Sequence, residues 1–146
     1  MPITGEYEPS ASAWVADQVD EYEASGGTRA NTLRDTGLPI VIVTMIGARS
    51  GKIRKIGLMR VEHNGEYGLV ASNGGAPEHP GWYANLLKDQ HIMIQDGPEP
   101  RDYVVREVHG AAREEWWARS VAAFPTYASY AEKTDRLIPL LVASPA

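Results

Sequence analysis

The chain has 146 residues, 43% of them apolar and 23% charged, enough for a hydrophobic core in one domain and too balanced for general disorder. It has no cysteine, which excludes disulfides, thiolate metal sites and cysteine nucleophiles. A net charge of −5 disfavours nucleic acid and anionic membranes as partners.

Residues 1–9 are expected to form an irregular arm without the basic start or apolar run of a signal peptide. Ser10–Ala24 carries Val15, Val19 and Tyr22 at helical spacing, with Ser10 or Ser12 as candidate caps and Gly26-Gly27 as the stop. Residues 25–37 are polar and glycine-bearing, a connecting segment. Pro39–Met45 is β-branched and apolar, the pattern of a strand buried on both faces. After a loop at Gly47–Lys52, a second strand is expected over Ile53–His63. Asn64-Gly65 then predicts a tight hairpin, because both central positions of a type I′ turn need positive φ. Glu66–Ser72 is the return strand and Asn73–His79 a loop. Pro80–Lys88 suits a short helix with proline in its first turn. His91–Asp96 and Arg101–His109 predict two more strands around Gly97-Pro98. Ala111–Ala123 is a helix whose apolar face is read as Trp117, Val121 and Phe124. Pro125 interrupts it, Tyr127–Lys133 adds a short helix, and Ile138–Ala143 a last strand. About six strands with segregated helices predict an α+β fold, a barrel or strongly curved sheet with helices at its edge.

Three segments carry candidate chemistry. In the first, Arg49, Lys52, Arg54, Lys55 and Arg60 lie within twelve residues with no acid among them. The stretch Gly47-Ala-Arg-Ser-Gly-Lys52 is not a nucleotide phosphate loop: its spacing is one residue short, and Ile53 stands where a hydroxyl should hold magnesium. Its cations and glycines suit a phosphate or carboxylate, and equally suit a solvated basic hairpin. In the second, Ala71–Tyr83, Ser72 ends a strand, Gly74-Gly75 lets backbone approach a flat ring, and Trp82 offers an apolar face. The same residues also suit a plain strand-to-helix connection. In the third, Phe124, Tyr127 and Tyr130 recur every three residues, so they could wall a substrate cavity or pack in the core. The four histidines lack metal-ligand spacing, and no metal site is expected.

In combination, these segments resemble the deazaflavin-dependent nitroreductase family of actinobacteria. The likeness rests on Ile42–Lys55, on Val70–Leu86 with its Ala-Ser-x-Gly-Gly-Ala-x-x-x-Pro-x-Trp-Tyr-x-Asn-Leu pattern, and on Thr134–Pro139. It implies a split β-barrel and coenzyme F420, an 8-hydroxy-5-deazaflavin with a phosphodiester and an oligoglutamate tail. Reduced F420 would pass hydride to quinones, nitroaromatics or activated enones. By the same resemblance, Arg49, Ser50, Lys52, Arg54 and Lys55 would bind the anionic tail. Ala71, Ser72, Asn73, Gly74, Gly75, Ala76, Pro80 and Trp82 would surround the deazaflavin. Phe124, Tyr127, Tyr130 and Trp82 would line the substrate pocket, with Ser72, Tyr127 and Tyr130 as catalytic groups. Phe124 stands where the namesake nitroreductase has a third tyrosine, which removes one hydroxyl. The expected organisation is an arm and helix over 1–37 and an F420-binding barrel over 38–146. A cytoplasmic protein is expected, with at most peripheral membrane contact through residues 1–24, as a monomer or weak homodimer. The rival readings are a split-barrel reductase using FMN and a non-catalytic F420 carrier.

Overall fold

The structure is a computed structural model and describes residues 3–33 and 36–146. Met1 and Pro2 of the expected arm, and Arg34 and Asp35 of the connecting segment, lie outside the described residues. The order of elements is α1 (Ala13–Ala24), β1 (Thr32–Leu33), β2 (Leu38–Ile46), β3 (Ile53–Met59), β4 (Glu62–His63), β5 (Glu66–Val70), α2 (Gly81–Lys88), β6 (His91–Gln95), β7 (Pro100–Glu107), α3 (Gly110–Ala123), α4 (Thr126–Lys133) and β8 (Leu140–Pro145).

All strand pairings are antiparallel and run β1-β2-β6-β7-β8-β5-β4, with β3 also on β2. The expected second strand, 53–63, bends rather than running straight. Its first half pairs with β2, from Ile46↔Ile53 to Ile40↔Met59. Its second half pairs with β5, where Gly68 N–H donates to the Val61 carbonyl at 2.8 Å and Glu62 faces Tyr67. One bent strand therefore joins the two ends of the ladder, and the sheet curls into the expected α+β split barrel. Because of that bend, and because β1 is a two-residue strand in the connecting segment, there are eight short strands where about six were expected.

β2 explains why a continuous apolar run was needed. Val41, Val43 and Met45 point into a barrel interior with Leu69, Ile92, Ile94, Tyr103 and Leu141, closed by Leu86 of α2. The alternate residues Ile40 and Ile42 point outward into a second core, under Val19 and Tyr22 of α1, Trp116 of α3 and Tyr127 of α4. Both faces of the strand are dry, so neither tolerates a polar alternation.

α1 starts at Ala13, behind Ser12, whose side chain makes no capping bond; the Ser10 hydroxyl accepts from Ser12 N–H instead. The glycine stop is as expected: Gly26 and Gly27 have φ of 64° and 81°, and Gly27 N–H returns to the Tyr22 carbonyl. Tyr22 fixes the helix to the barrel, donating to the Gln95 carbonyl and accepting from Gly97 N–H. Asn64 and Gly65 have φ of 52° and 82°, as the predicted hairpin requires. The apolar face of α3 is rotated from the expected one. Trp116 and Ser120 are buried, while Trp117 and Val121 flank that face. The Trp116 ring lies against Gly68, where a Cβ would come within 3.0 Å of it. Among the described residues, no helix is long and apolar enough to cross a membrane.

Candidate active site

Two cavities lie along one side of the barrel and share Ile56 and Trp82 in their walls. The larger, about 690 Å³, sits at the turn between β2 and β3 and is lined by Arg49, Ser50, Arg54 and Glu8, with Met45, Trp82 and Asn85. The smaller, about 380 Å³, is lined by Ser72, Asn73 and Gly74 of the glycine-rich loop, Phe124, Tyr127 and Tyr130, and apolar side chains of α1 and β3. The three sequence segments thus converge on two adjoining cavities, a polar one and an aromatic one.

The polar end is built by a turn that needs its glycines. Gly47 N–H donates to the Lys52 carbonyl, Gly51 N–H to the Gly47 carbonyl, and a Cβ on Gly47 would come within 2.8 Å of Ser50 Oγ. α2 holds this turn from beside it. Asn85 Oδ1 accepts from Ala48 N–H at 2.8 Å, and Lys88 Nζ donates to the Ala48 carbonyl at 2.8 Å. Strand alternation then sorts the clustered cations. Arg54 shares the face of Met45 and lines the cleft. Lys55 is on the other face, paired with Glu23 of α1 at 2.6 Å, and Lys52 reaches outward to Glu6 at 3.6 Å. Arg60 is remote, paired with Asp96 at 2.8 Å. Among the described residues only Arg49 of the five makes no ion pair, and only Arg49 and Arg54 line the cleft.

The aromatic end starts where β5 stops. Ala71 and Ser72 are buried, and a short 3-10 turn at Asn73–Gly75 carries positive φ at all three residues. Asn73 Nδ2 donates to the Glu78 carbonyl, which closes the loop on itself. Gly75 is pressed on α4: a Cβ there would lie 2.8 Å from the Tyr130 carbonyl oxygen. Arg136 ties the loop down. Its guanidinium donates to the carbonyls of Ala76 (2.9 Å), Ala71 (3.3 Å) and Ser72 (2.7 Å), and contacts His79 Nδ1 at 2.9 Å. Trp82 is half-buried between the two cavities, and Pro80 lines the smaller one. Phe124 precedes α4 rather than sitting on it, yet its ring still meets Tyr127 edge-on at 5.0 Å and Tyr130 at 6.1 Å. Burial pushes the Tyr127 hydroxyl well above the usual tyrosine range, with the neighbouring Tyr130 adding to the effect, so it stays protonated.

Sequence reasoning missed three supporting residues. Asn85 lay inside the quoted motif without a role. Arg136 lies inside the matched stretch Thr134–Pro139, likewise without a role. Glu8 falls in the irregular arm, whose sequence marks no partner for it.

The donor set fits an elongated anionic ligand with a flat ring. Two arginines and a hydroxyl stand at one end, and Trp82, Ile56 and open space above Gly74 at the other. Among the described residues no cluster could hold a metal ion.

The sequence pattern of the family described as F420H(2)-dependent quinone reductase matches residues 14–145. An F420H(2)-dependent quinone reductase of Mycobacterium tuberculosis is 28% identical over 107 residues, 71% of this chain and 72% of that one. The solved structure of an F420-H2 dependent reductase is 50% identical, with a TM-score of 0.69 over 73% of this chain and 94% of that one. A structure described as a domain-swapped dimer is 44% identical, with a TM-score of 0.72 over 92% of this chain and all of that one.

Proposed function

The chain belongs to the F420H(2)-dependent quinone reductase family, and from that premise we propose how its residues serve the reduction of quinones, nitroaromatics or enones. The protein is an oxidoreductase that uses reduced coenzyme F420. One observation supports the assignment of residues: the polar cleft and the ring-lined pocket share Ile56 and Trp82 as common wall. An anionic tail and a planar redox ring can therefore lie side by side across Trp82.

When bound, the cofactor would supply the two electrons as a hydride. The chain supplies the rest. Arg49, Ser50 and Arg54 hold the anionic end by charge-assisted hydrogen bonds, with Asn85 and Lys88 fixing the turn that presents them. Trp82 and the loop Ser72–Gly74 form the surface for the ring, and the apolar wall of the smaller cavity excludes water. The Ser72 hydroxyl donates to the substrate oxygen that becomes negative. Tyr127, with its raised pKa, is a hydrogen-bond donor and a poor acid. Proton delivery falls to Tyr130, which is less buried and lines the same pocket. Lys52 and Lys55 act at a distance, as part of the positive field around the turn, because their ammonium groups pair outside the cleft.

Titration of the protein with F420 and with FMN tests the cofactor; tighter FMN binding would sink the assignment. With F420 bound and menadione as acceptor, Ser72→Ala and Tyr130→Phe should each lower kcat, and Tyr127→Phe should act mainly on KM. Unchanged turnover in both of the first two variants removes these roles. For assembly we infer a monomer that forms a weak homodimer, supported by the relative described as a domain-swapped dimer. Sedimentation across a concentration series checks this, and a single species of monomer mass throughout contradicts it.

A further inference from the structure

Residues 6–8 form an acidic strap on the open edge of β3. Ile53 N–H donates to the Glu6 carbonyl at 2.8 Å, and Glu8 N–H donates to the Ile53 carbonyl at 2.9 Å. Extended alternation turns Glu6 and Glu8 to one side and Tyr7 to the other, where the Tyr7 ring lies 5.0 Å beneath Lys55 Nζ. So anchored, the strap puts the Glu8 carboxylate against Arg54, with Oε1 2.9 Å from Nη1. Glu8 also lines the larger cavity, beside Arg49, Ser50 and Arg54. Of the two arginines in the cleft, one is already neutralised by the protein's own carboxylate. Glu6, by contrast, reaches Lys52 outside the cleft.

We propose that Glu8 is a built-in counter-anion of the cofactor cleft, which the anionic end of the cofactor must displace from Arg54. The idea rests on the cofactor assignment above. Two anions on one guanidinium repel each other, so a ligand gains Arg54 only by breaking the Glu8 contact or tolerating its charge. The cost falls on the ligand's charged end and not on its ring. A monovalent anion gains too little to overcome it, whereas a tail with several charges engages Arg49 and Arg54 together. Glu8 thereby keeps stray monovalent anions off Arg54, at some cost to the affinity of the tailed cofactor and none to that of tail-less deazaflavin.

The test titrates wild type, Glu8→Gln and Glu6→Gln by deazaflavin fluorescence. Each is titrated with F420 and with the deazaflavin chromophore lacking phosphodiester and glutamates, at low and at high salt. Glu8→Gln keeps the shape of the side chain and removes its charge. It should bind F420 about two- to fivefold more tightly at low salt, the range expected for a partly exposed ion pair. The gain should shrink at high salt, and affinity for the tail-less chromophore should not change. Glu6→Gln should match wild type. Equal or weaker F420 binding by Glu8→Gln overturns the proposal, as does an equal gain for the tail-less compound. Wild type binding neither compound would instead overturn the cofactor assignment beneath it.

Discussion

Arg136 shows how much one side chain can organise. Carbonyls of a loop that has left its sheet need donors, and burial makes an unmet carbonyl costly. The guanidinium serves three of them at once, at Ala71, Ser72 and Ala76, from some sixty residues away in sequence. It also leans on His79, whose ring meets Tyr83 edge-on at 4.9 Å. The Tyr83 hydroxyl in turn donates to Glu107 at 2.5 Å, and burial together with that acceptor pushes its pKa up to about 12. A lysine cannot copy a planar fork. Arg136→Lys should therefore cost about 1–3 kcal/mol of stability, the range for orphaned buried carbonyls. It should also raise the KM for a quinone and weaken F420 binding through the ring, because the loop it positions carries Ser72 and forms part of the ring surface. A merely structural role would lower the unfolding midpoint without moving KM. Measuring both separates the two accounts.

At the scale of elements, the site depends on how α4 seats on the glycine-rich loop. Gly74 and Gly75 both have positive φ, 64° and 80°, yet their surroundings differ. A Cβ on Gly74 meets nothing within 4 Å, whereas one on Gly75 meets the Tyr130 backbone at 2.8 and 3.1 Å. Gly74→Ala should lose about 1 kcal/mol, the backbone cost alone. Gly75→Ala should lose at least about 1–3 kcal/mol more from overpacking, and should shift α4 and so weaken quinone binding. Equal losses in chemical denaturation would mean that α4 is not pressed on the loop as described. The sequence made these elements legible and their seating much less so. The run Ile40–Met45 and the dipeptide Asn64-Gly65 declare themselves through local chemistry, burial on two faces in one case and positive φ in the other. The face of α3 did not, because Trp116 and Trp117 are adjacent and only Gly68, on a distant strand, makes room for one of them. The basic cluster misled in a related way. Its partners Glu6, Glu8, Glu23 and Asp96 come from the arm, α1 and the turn after β6, so five cations in sequence became two in the cleft.

For the molecule as a whole, the aromatic content sets a pH limit that the acidic net charge does not reveal. Burial raises the pKa of Tyr7, Tyr22, Tyr67, Tyr83 and Tyr127 above the ordinary value near 10, and the Asp96 and Glu107 acceptors raise Tyr67 and Tyr83 further. In the unfolded chain these hydroxyls ionise near pH 10, while in the fold they keep their protons. Above that pH the unfolded state therefore binds fewer protons, so the free energy of unfolding falls as pH rises. The contribution is fully present below pH 10 and is lost on the way up through the folded pKa values. Each tyrosine that is protonated in the fold and ionised out of it adds a slope of up to about 1.4 kcal/mol per pH unit. The more exposed Tyr7 and Tyr83 add less because solvent screens them. Tyr127, only 5% exposed, should add close to its full share. Urea unfolding from pH 8 to 11 should show this decline in wild type and a shallower one in Tyr127→Phe, whatever the variant loses at pH 8. Parallel curves for the two proteins would mean that the Tyr127 hydroxyl reaches water in the fold, and that the pocket beside the glycine-rich loop is wetter than its walls suggest.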